Sequence, residues 1–206
     1  VAKVSRIELL HLKRRRSLVD NGIEILTGKR EALRLLLEEA VRREEESRRR
    51  LDELMREAER EMMVARAMEP GGWLSSAAQA AGRELTVSMS VKNVWGAKTP
   101  EGAFPDTRRS LTQRGSAPGF RSPAVDETAA AFERVMRALL EHGVAERTRR
   151  VVEGALSATN RRVNALEQRV APGIEDDIET IKKRLEEKAR EETFRMKRFK
   201  RIRDRR

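Results

Sequence analysis

At 206 residues the chain is 38% apolar and 38% charged but only 3% aromatic, a balance that points to coiled coil or long helix rather than a compact globule. With two histidines and no cysteine it has neither a disulfide framework nor a thiolate metal site, which fits a reducing compartment. The net charge of +11 is concentrated at the ends, +5 over residues 1–16 and +7 over residues 193–206, leaving about −1 between them.

The first predicted element runs from about Val4 to Met68. A strict three-four spacing begun at Leu9 meets apolar residues at twelve of 17 positions to Ala65, where about six or seven would arise by chance, so the heptad belongs to the sequence. Arg16, Arg30, Glu44, Ser47 and Glu61 interrupt the seam and are expected to loosen or hydrate it. Gly22 and Gly28 each cost roughly 1 kcal/mol against Ala, yet the phase is unbroken across both, which predicts one continuous helix. Pro70, Gly71 and Gly72 end it.

Residues 69–123 form a middle insertion of lower charge. Leu85, Val87, Met89 and Val91 alternate with polar residues, the signature of a strand with one buried face. Thr99–Gly102 is a turn candidate, and the second arm of a hairpin is expected within residues 103–113, as an edge strand because of Pro105. Residues 114–123 read as loop. Placed at the bend between two long helices, such an insertion costs the coil little.

Residues 124–206 are the second long helix, capped by Ser122 or Asp126. Apolar residues at Val152, Leu156, Val163, Leu166, Val170, Ile174, Ile178, Ile181, Leu185, Ala189, Met196 and Phe199 line a narrow stripe, which needs a partner helix. Extra steps of four near Pro172 and Ala189 are expected to relax the supercoil. The phase persists across Pro172, predicting a kink rather than a break into a three-helix bundle. Thr159, Asn160 and Asn164 place polar groups in this seam, opposite Glu44 and Ser47 if Leu9 faces Phe199.

The fold class read from these patterns is all-α, a long antiparallel two-helix coiled coil with a small β-hairpin insertion at the bend; a parallel dimer is the alternative. Antiparallel pairing within the chain brings the +5 and +7 segments together as one basic tip.

Catalytic chemistry finds little support. Gly22 to Arg30 resembles a phosphate loop but has one residue too many between its glycines, Arg30 in place of the hydroxyl, and no preceding strand. His11 and His142 read as helix-surface histidines, and the carboxylate runs as solvated faces with i,i+4 pairs. Nothing assembles a nucleophile, base and oxyanion donor, so no catalytic residue, metal or cofactor is expected. No apolar run approaches the roughly 18 residues of a membrane span, and the basic N-terminal segment lacks the apolar core of a secretion signal. A soluble intracellular protein is expected. At the basic tip, Leu9, Leu12, Lys13, Arg14 and Arg15 alternate much as Phe194, Arg195, Met196, Arg198, Phe199 and Arg201 do. That mixture suits a protein socket at least as well as nucleic acid or plain solvation.

The string Asn160, Arg161, Arg162, Val163, Asn164, Ala165, Leu166 and Glu167, followed by Pro172, the Ile178, Ile181 and Leu185 helix, and Phe194 to Arg198, resembles the D subunit of the V/A-type rotary ATPases. Arg6, Leu9, Leu10, Leu12, Lys13, Gly22, Leu26, Lys29, Arg30 and Leu33 resemble that family's first helix, while the loop from Arg108 to Arg121 departs from it. The resemblance implies a non-catalytic central rotor shaft of a proton- or sodium-translocating ATPase. Its partners would be the catalytic and regulatory ring subunits, the F subunit and the membrane-rotor adaptor. It would take no small-molecule substrate, bind no nucleic acid directly, and be cytoplasmic, associated with the membrane only through the complex. A free-standing basic coiled-coil adaptor or nucleic-acid-binding protein is the alternative from another class.

Overall fold

The computed structural model describes residues 5–80, 82, 84–114 and 122–203. In chain order these form helices α1 (Arg6–Met68) and α2 (Gly71–Ala80), strands β1 (Ser88–Val94) and β2 (Ala97–Ala103), and a short 3-10 turn (Leu111–Arg114). Helix α3 (Pro123–Ala165), a π-helical turn (Leu166–Val170) and helix α4 (Ala171–Arg203) follow. They divide into two compact units, one made of Val1–Glu31 with Ser157–Arg206 and the other of Ala32–Leu156. The expected class, helices with a small antiparallel hairpin, is the one observed.

In the unit Ala32–Leu156 the two long helices pair in antiparallel fashion. Arg149 meets Glu44, His142 Nδ1 lies 3.0 Å from Ser47 Oγ, Arg50 pairs with Glu141 at 3.7 Å, and Arg134 with Glu57 at 2.8 Å. As the numbers rise on α1 they fall on α3. Every α1 position of the predicted heptad from Leu33 to Ala65 is buried or half-buried, which follows from a 3.5-residue apolar repeat turned toward one partner. Leu33 and Val152 are fully buried and pack with Leu37 and Leu156; farther along, Ala58, Ala131 and Val135 pack with Leu51 and Leu54. Glu44 and Ser47 are thus half-buried positions with partners of their own, Arg149 and His142. They do not face Thr159 or Asn164 as the assumed register required, and His142 sits at the seam rather than on a free helix surface.

The hairpin differs from its sequence reading in three ways. Its turn is Trp95-Gly96, with φ of 53° and 82°, the two-residue turn with both central residues left-handed that matches the twist of paired strands. The second strand is therefore Ala97–Ala103, and the supposed turn Thr99–Gly102 lies inside it, with Pro100 opposite Val91. Proline is tolerated because a two-stranded sheet leaves each strand a free edge. The buried face comes from β2, through Ala97 and Thr99, while Met89 and Val91 on β1 are exposed. Leu85 and Val87 precede β1 and are half-buried. Hydroxyls reinforce the pairing: Ser90 Oγ donates to the Glu101 carbonyl and Thr99 Oγ1 to that of Lys92, both between directly paired residues.

The hairpin does not merely sit at the bend. Ala97 packs against Leu33 and Val152, and a Cβ built on Gly102 would lie 3.3 Å from Val144 and 2.7 Å from the Phe104 ring. That ring in turn lies under the Arg137 guanidinium at 5.4 Å. The hairpin therefore lies along α3, and Gly102 is the residue that lets it approach.

Helix α2 is not legible in the sequence, because Gly71, Gly72 and two serines signal a break. Here Ser75 and Ser76 return their hydroxyls to the Gly72 carbonyl, which removes their competition with the helix ladder.

In the unit Val1–Glu31 with Ser157–Arg206, α1 contributes half-buried Leu9, Leu12, Arg16, Val19, Ile23 and Leu26. Facing residues are buried Thr159, Val163, Ala171, Ile174 and Ile181, with Ile178 and Leu185 half-buried. Arg16 is accommodated because it bonds Asp20 on its own helix and, across the seam, Glu175 at 2.8 Å. The buried positions step by three or four from Ala171 to Leu185, but Val163 and Ala171 are one residue farther apart than a heptad. The π turn absorbs that extra residue: the Ala171 N–H donates to the Leu166 carbonyl, five residues back. A wider turn takes up a residue without rotating the apolar face away from its partner. The helix therefore runs through Pro172 without a break.

Leu33→Ala is expected to cost about 2–5 kcal/mol by emptying a fully buried site, whereas Leu35→Ala, at a 68% exposed position, should change stability by no more than about 0.5 kcal/mol. Urea unfolding of the two variants measures the difference; equal losses would contradict this placement of the core.

Candidate partner interface

The candidate interface grows from the register of the first unit. Equal steps from the Arg16–Glu175 pair bring Leu9 level with Lys182 and Arg6, where α1 begins, level with Leu185. Burial on α4 ends at that height, and every residue from Glu186 to Arg203 is exposed. Leu9 thus does not lie beside Phe199, and the basic segments of α1 and α4 do not merge into one tip. At a rise of 1.5 Å per residue, Arg195 stands about 15 Å beyond Leu185. Lys3, Asp204, Arg205 and Arg206, counted in the terminal charges, lie outside the described residues.

Beyond Leu185, α4 packs against no other helix among the described residues of its unit, and its surface is unusual. Phe194, Met196, Phe199 and Ile202 are between 56% and 76% exposed, where a solvated helix would carry polar residues. At 3.6 residues per turn they spread over an arc of about 200°, with Arg195, Lys197, Arg198, Lys200, Arg201 and Arg203 among them and no carboxylate from Thr193 to Arg203. Ala189, Met196 and Phe199, read from sequence as a continued seam, have no seam to enter. Of the candidate contact residues on α1, Leu9 and Leu12 are half-buried in the pair, while Lys13, Arg14 and Arg15 are exposed. Within the motif, Val163 is fully buried and Asn160 and Leu166 are half-buried. Arg161, Arg162, Asn164, Ala165 and Glu167 are exposed, and Arg161 bonds Ser157 Oγ at 3.1 Å. Asn164 therefore lies outside the seam.

The unit Ala32–Leu156 holds a buried polar cluster that sequence reasoning missed. Glu133 on α3 takes hydrogen bonds from Arg114 Nη2 at 3.0 Å and Nε at 3.2 Å, and from the Arg109 backbone N–H at 3.2 Å. Arg114 Nη1 also donates to the Asp126 carbonyl at 3.0 Å. Arg114 and Glu133 are both buried, so the connector after β2 is fastened to α3. In the sequence, residues to 113 read as a hairpin arm and those from 114 as loop, whereas strand β2 ends at Ala103; residues 115–121 lie outside those described. An Arg-Gly-Pro composition conceals two arginines fixed on one carboxylate, Arg109 and Arg114; the one available signal was Glu133 on the apolar face set by Ala129, Phe132 and Met136. Beside the cluster, Trp73, Leu74, Leu85, Phe132 and Met136 wall a cavity of about 630 Å³. Its charged floor is internally paired.

Burial alone would push the Glu133 carboxyl up, but hydrogen bonds from Arg114 and Arg109 and the Arg114 charge overcome that and hold it below the usual range. The Arg114 guanidinium is raised, first by its hydrogen bond to Glu133. Among the described residues no group of three or more His, Asp or Glu side chains is placed to hold a metal.

Comparison with known proteins decides the family. The family model for the D subunit of ATP synthase matches residues 8–201. The chain belongs to the ATP synthase D-subunit family. It is 37% identical over 202 residues to the V-type ATP synthase D subunit of Anaeromyxobacter sp. (strain Fw109-5), covering 98% of this chain and 94% of the relative. It is 34% identical to the A-type ATP synthase D subunit of Methanoregula boonei, covering 96% and 95%, and 34% identical to the V-type ATP synthase D subunit of Thermus thermophilus, covering 95% and 86%. The resemblance read from the two helices is thereby shown, and the matched span includes the middle insertion.

Because Glu133 is held below its unfolded value, its contribution is fully present above the unfolded carboxylate pKa of roughly 4.3 and is lost as pH falls through the lower folded value. Thermal unfolding between about pH 6 and pH 3 should therefore show a loss that Glu133→Gln largely removes, and Glu133→Ala should cost about 3–5 kcal/mol at neutral pH by leaving Arg114 buried without its carboxylate. Parallel pH profiles for wild type and Glu133→Gln would contradict the assignment.

Proposed function

We propose that the chain is the non-catalytic central shaft of a V/A-type rotary ATP synthase, carrying torque between the membrane rotor and the catalytic ring. The observation that carries this reading is the lone end of α4. A helix meeting a partner side-on needs one apolar stripe, whereas Phe194, Met196, Phe199 and Ile202 occupy more than half the circumference, interleaved with cations. That surface fits a socket that surrounds the helix and presents apolar and acidic groups, as the bore of the catalytic and regulatory ring would. Acidic lining lowers the cost of gathering so many like charges at one end.

The rest of the chain suits the same role. Paired helices resist bending more than a single helix does, and ion pairs across the seam such as Arg16–Glu175 and Arg134–Glu57 tie the two together. The F subunit and the membrane-rotor adaptor are the remaining partners of a shaft. No described helix is long and apolar enough to cross a membrane, so attachment to the membrane would come through the complex, on its cytoplasmic side. The chemistry of ATP belongs to the ring; this chain transmits its mechanical consequence in either direction.

In a reconstituted complex, replacing Arg195, Arg198 and Arg201 together with Glu should lower ion transport per ATP hydrolysed by roughly tenfold, equivalent to about 1.4 kcal/mol of lost coupling contact, with helicity unchanged by circular dichroism. An unaltered ratio of transport to hydrolysis would remove the end of α4 from the mechanism.

A further inference from the structure

The π turn has a counterpart on the opposite helix. Starting from the Arg16–Glu175 ion pair, equal steps forward along α1 and backward along the partner bring Gly22 level with Arg169, inside the π turn Leu166–Val170. Both helices are weakened there, by different means. On one side the ladder is widened to a five-residue spacing, and Pro172, one residue past Ala171, has no N–H to give it. On the other, Gly22 has the least restrained backbone of any residue, beside the half-buried apolar positions Val19, Ile23 and Leu26.

Packing does not explain these residues. A Cβ added at Gly22 or at Gly173 would meet nothing within 4 Å, so neither glycine exists to admit a close neighbour. Glu167, Gln168 and Arg169 are exposed, as are Pro172 and Gly173, so water reaches the altered ladder and can take up backbone groups released by an opening. Flanking this level are well-buried seam layers, Thr159 and Val163 on one side and Ile174 and Ile181 on the other.

We infer that Gly22, the π turn Leu166–Val170 and Pro172 form a compliant collar, a built-in level at which the helix pair bends and twists more readily than on either side. The π turn keeps the apolar face aligned while leaving the ladder open to rearrangement between five-residue and four-residue spacing; Gly22 lets α1 follow. The inference goes beyond the shaft reading and stands without it, since the collar is a property of the helix pair.

Hydrogen–deuterium exchange on the full chain, free of partners, tests this. Amides of residues 166–173 and 20–26 are expected to exchange at least roughly tenfold faster than those of residues 159–163 and 176–183, on the scale by which local openings differ from their surroundings. The paired substitution Gly22→Ala with Pro172→Ala, for which open space exists at Gly22, should slow exchange at the collar by roughly tenfold and leave the flanking layers unchanged. Deletion of Gln168, which restores an unbroken heptad, should do the same. Exchange at the collar as slow as in its flanks would overturn the inference in the unmodified chain, whatever the variants do. So would collar exchange left unchanged by both the paired substitution and the deletion. Neither result bears on the end of α4, whose own test reads ion transport.

Discussion

The structure depends on one constraint, the register in which two heptad seams are locked against each other. Apolar repeats alone permit several alignments separated by whole heptads, because each shift of seven residues returns the same face to the partner. The polar exceptions remove that freedom. In one unit Arg16 needs Glu175; in the other Glu44, Ser47, Arg50 and Glu57 find Arg149, His142, Glu141 and Arg134. Three residues that looked like flaws in the seam, Arg16, Glu44 and Ser47, are among those that specify its alignment. An arginine or glutamate held half-buried is costly if shifted away from its partner, so the wrong registers are penalised more than the right one is rewarded.

From this register follow the features that bear on function. Arg6 stands level with Leu185, so among the described residues α4 beyond that point packs against no other helix of its unit, and its aromatic and cationic side chains are exposed together. The same register places Gly22 beside the π turn. In the other unit, the pairing of α1 and α3 forms the groove that Ala97 closes, and with it fixes the hairpin along α3, while Glu133 fastens the following connector. The family match, over residues 8–201, takes in both long helices and the insertion between them.

Much of this was legible in the sequence. The α1 seam from Leu9 to Ala65 emerged residue for residue, since heptad spacing is a direct consequence of helix geometry. Fold class and family were also readable, the latter from a few strings on both helices. The failures have physical causes. Matching helix lengths end to end brings Leu9 to Phe199 and misjudges the register, because the information lies in charge pairing across the seam. The hairpin was displaced because its turn is Trp95-Gly96, and a tryptophan in the left-handed region is a weak signal beside Thr99–Gly102. Alternation alone gives Met89 and Val91 a buried face, but a two-stranded sheet lying on a helix can bury either strand, and the small residues Ala97 and Thr99 are the ones that fit. Helix α2 and the Arg114–Glu133 cluster rest on tertiary contacts that local composition does not encode.

The register can be read directly, and the absence of native cysteine makes the measurement clean. Oxidative cross-linking of the doubly substituted chains Leu9→Cys with Ile181→Cys, and Leu9→Cys with Phe199→Cys, compares the two alignments in the same protein. The account predicts ready intramolecular closure of the first pair, which share the seam at one height, and none of the second, whose members lie about 25 Å apart along the helix axis. Efficient closure of the pair at positions 9 and 199 would contradict the register, and with it the lone helical end on which the functional reading stands.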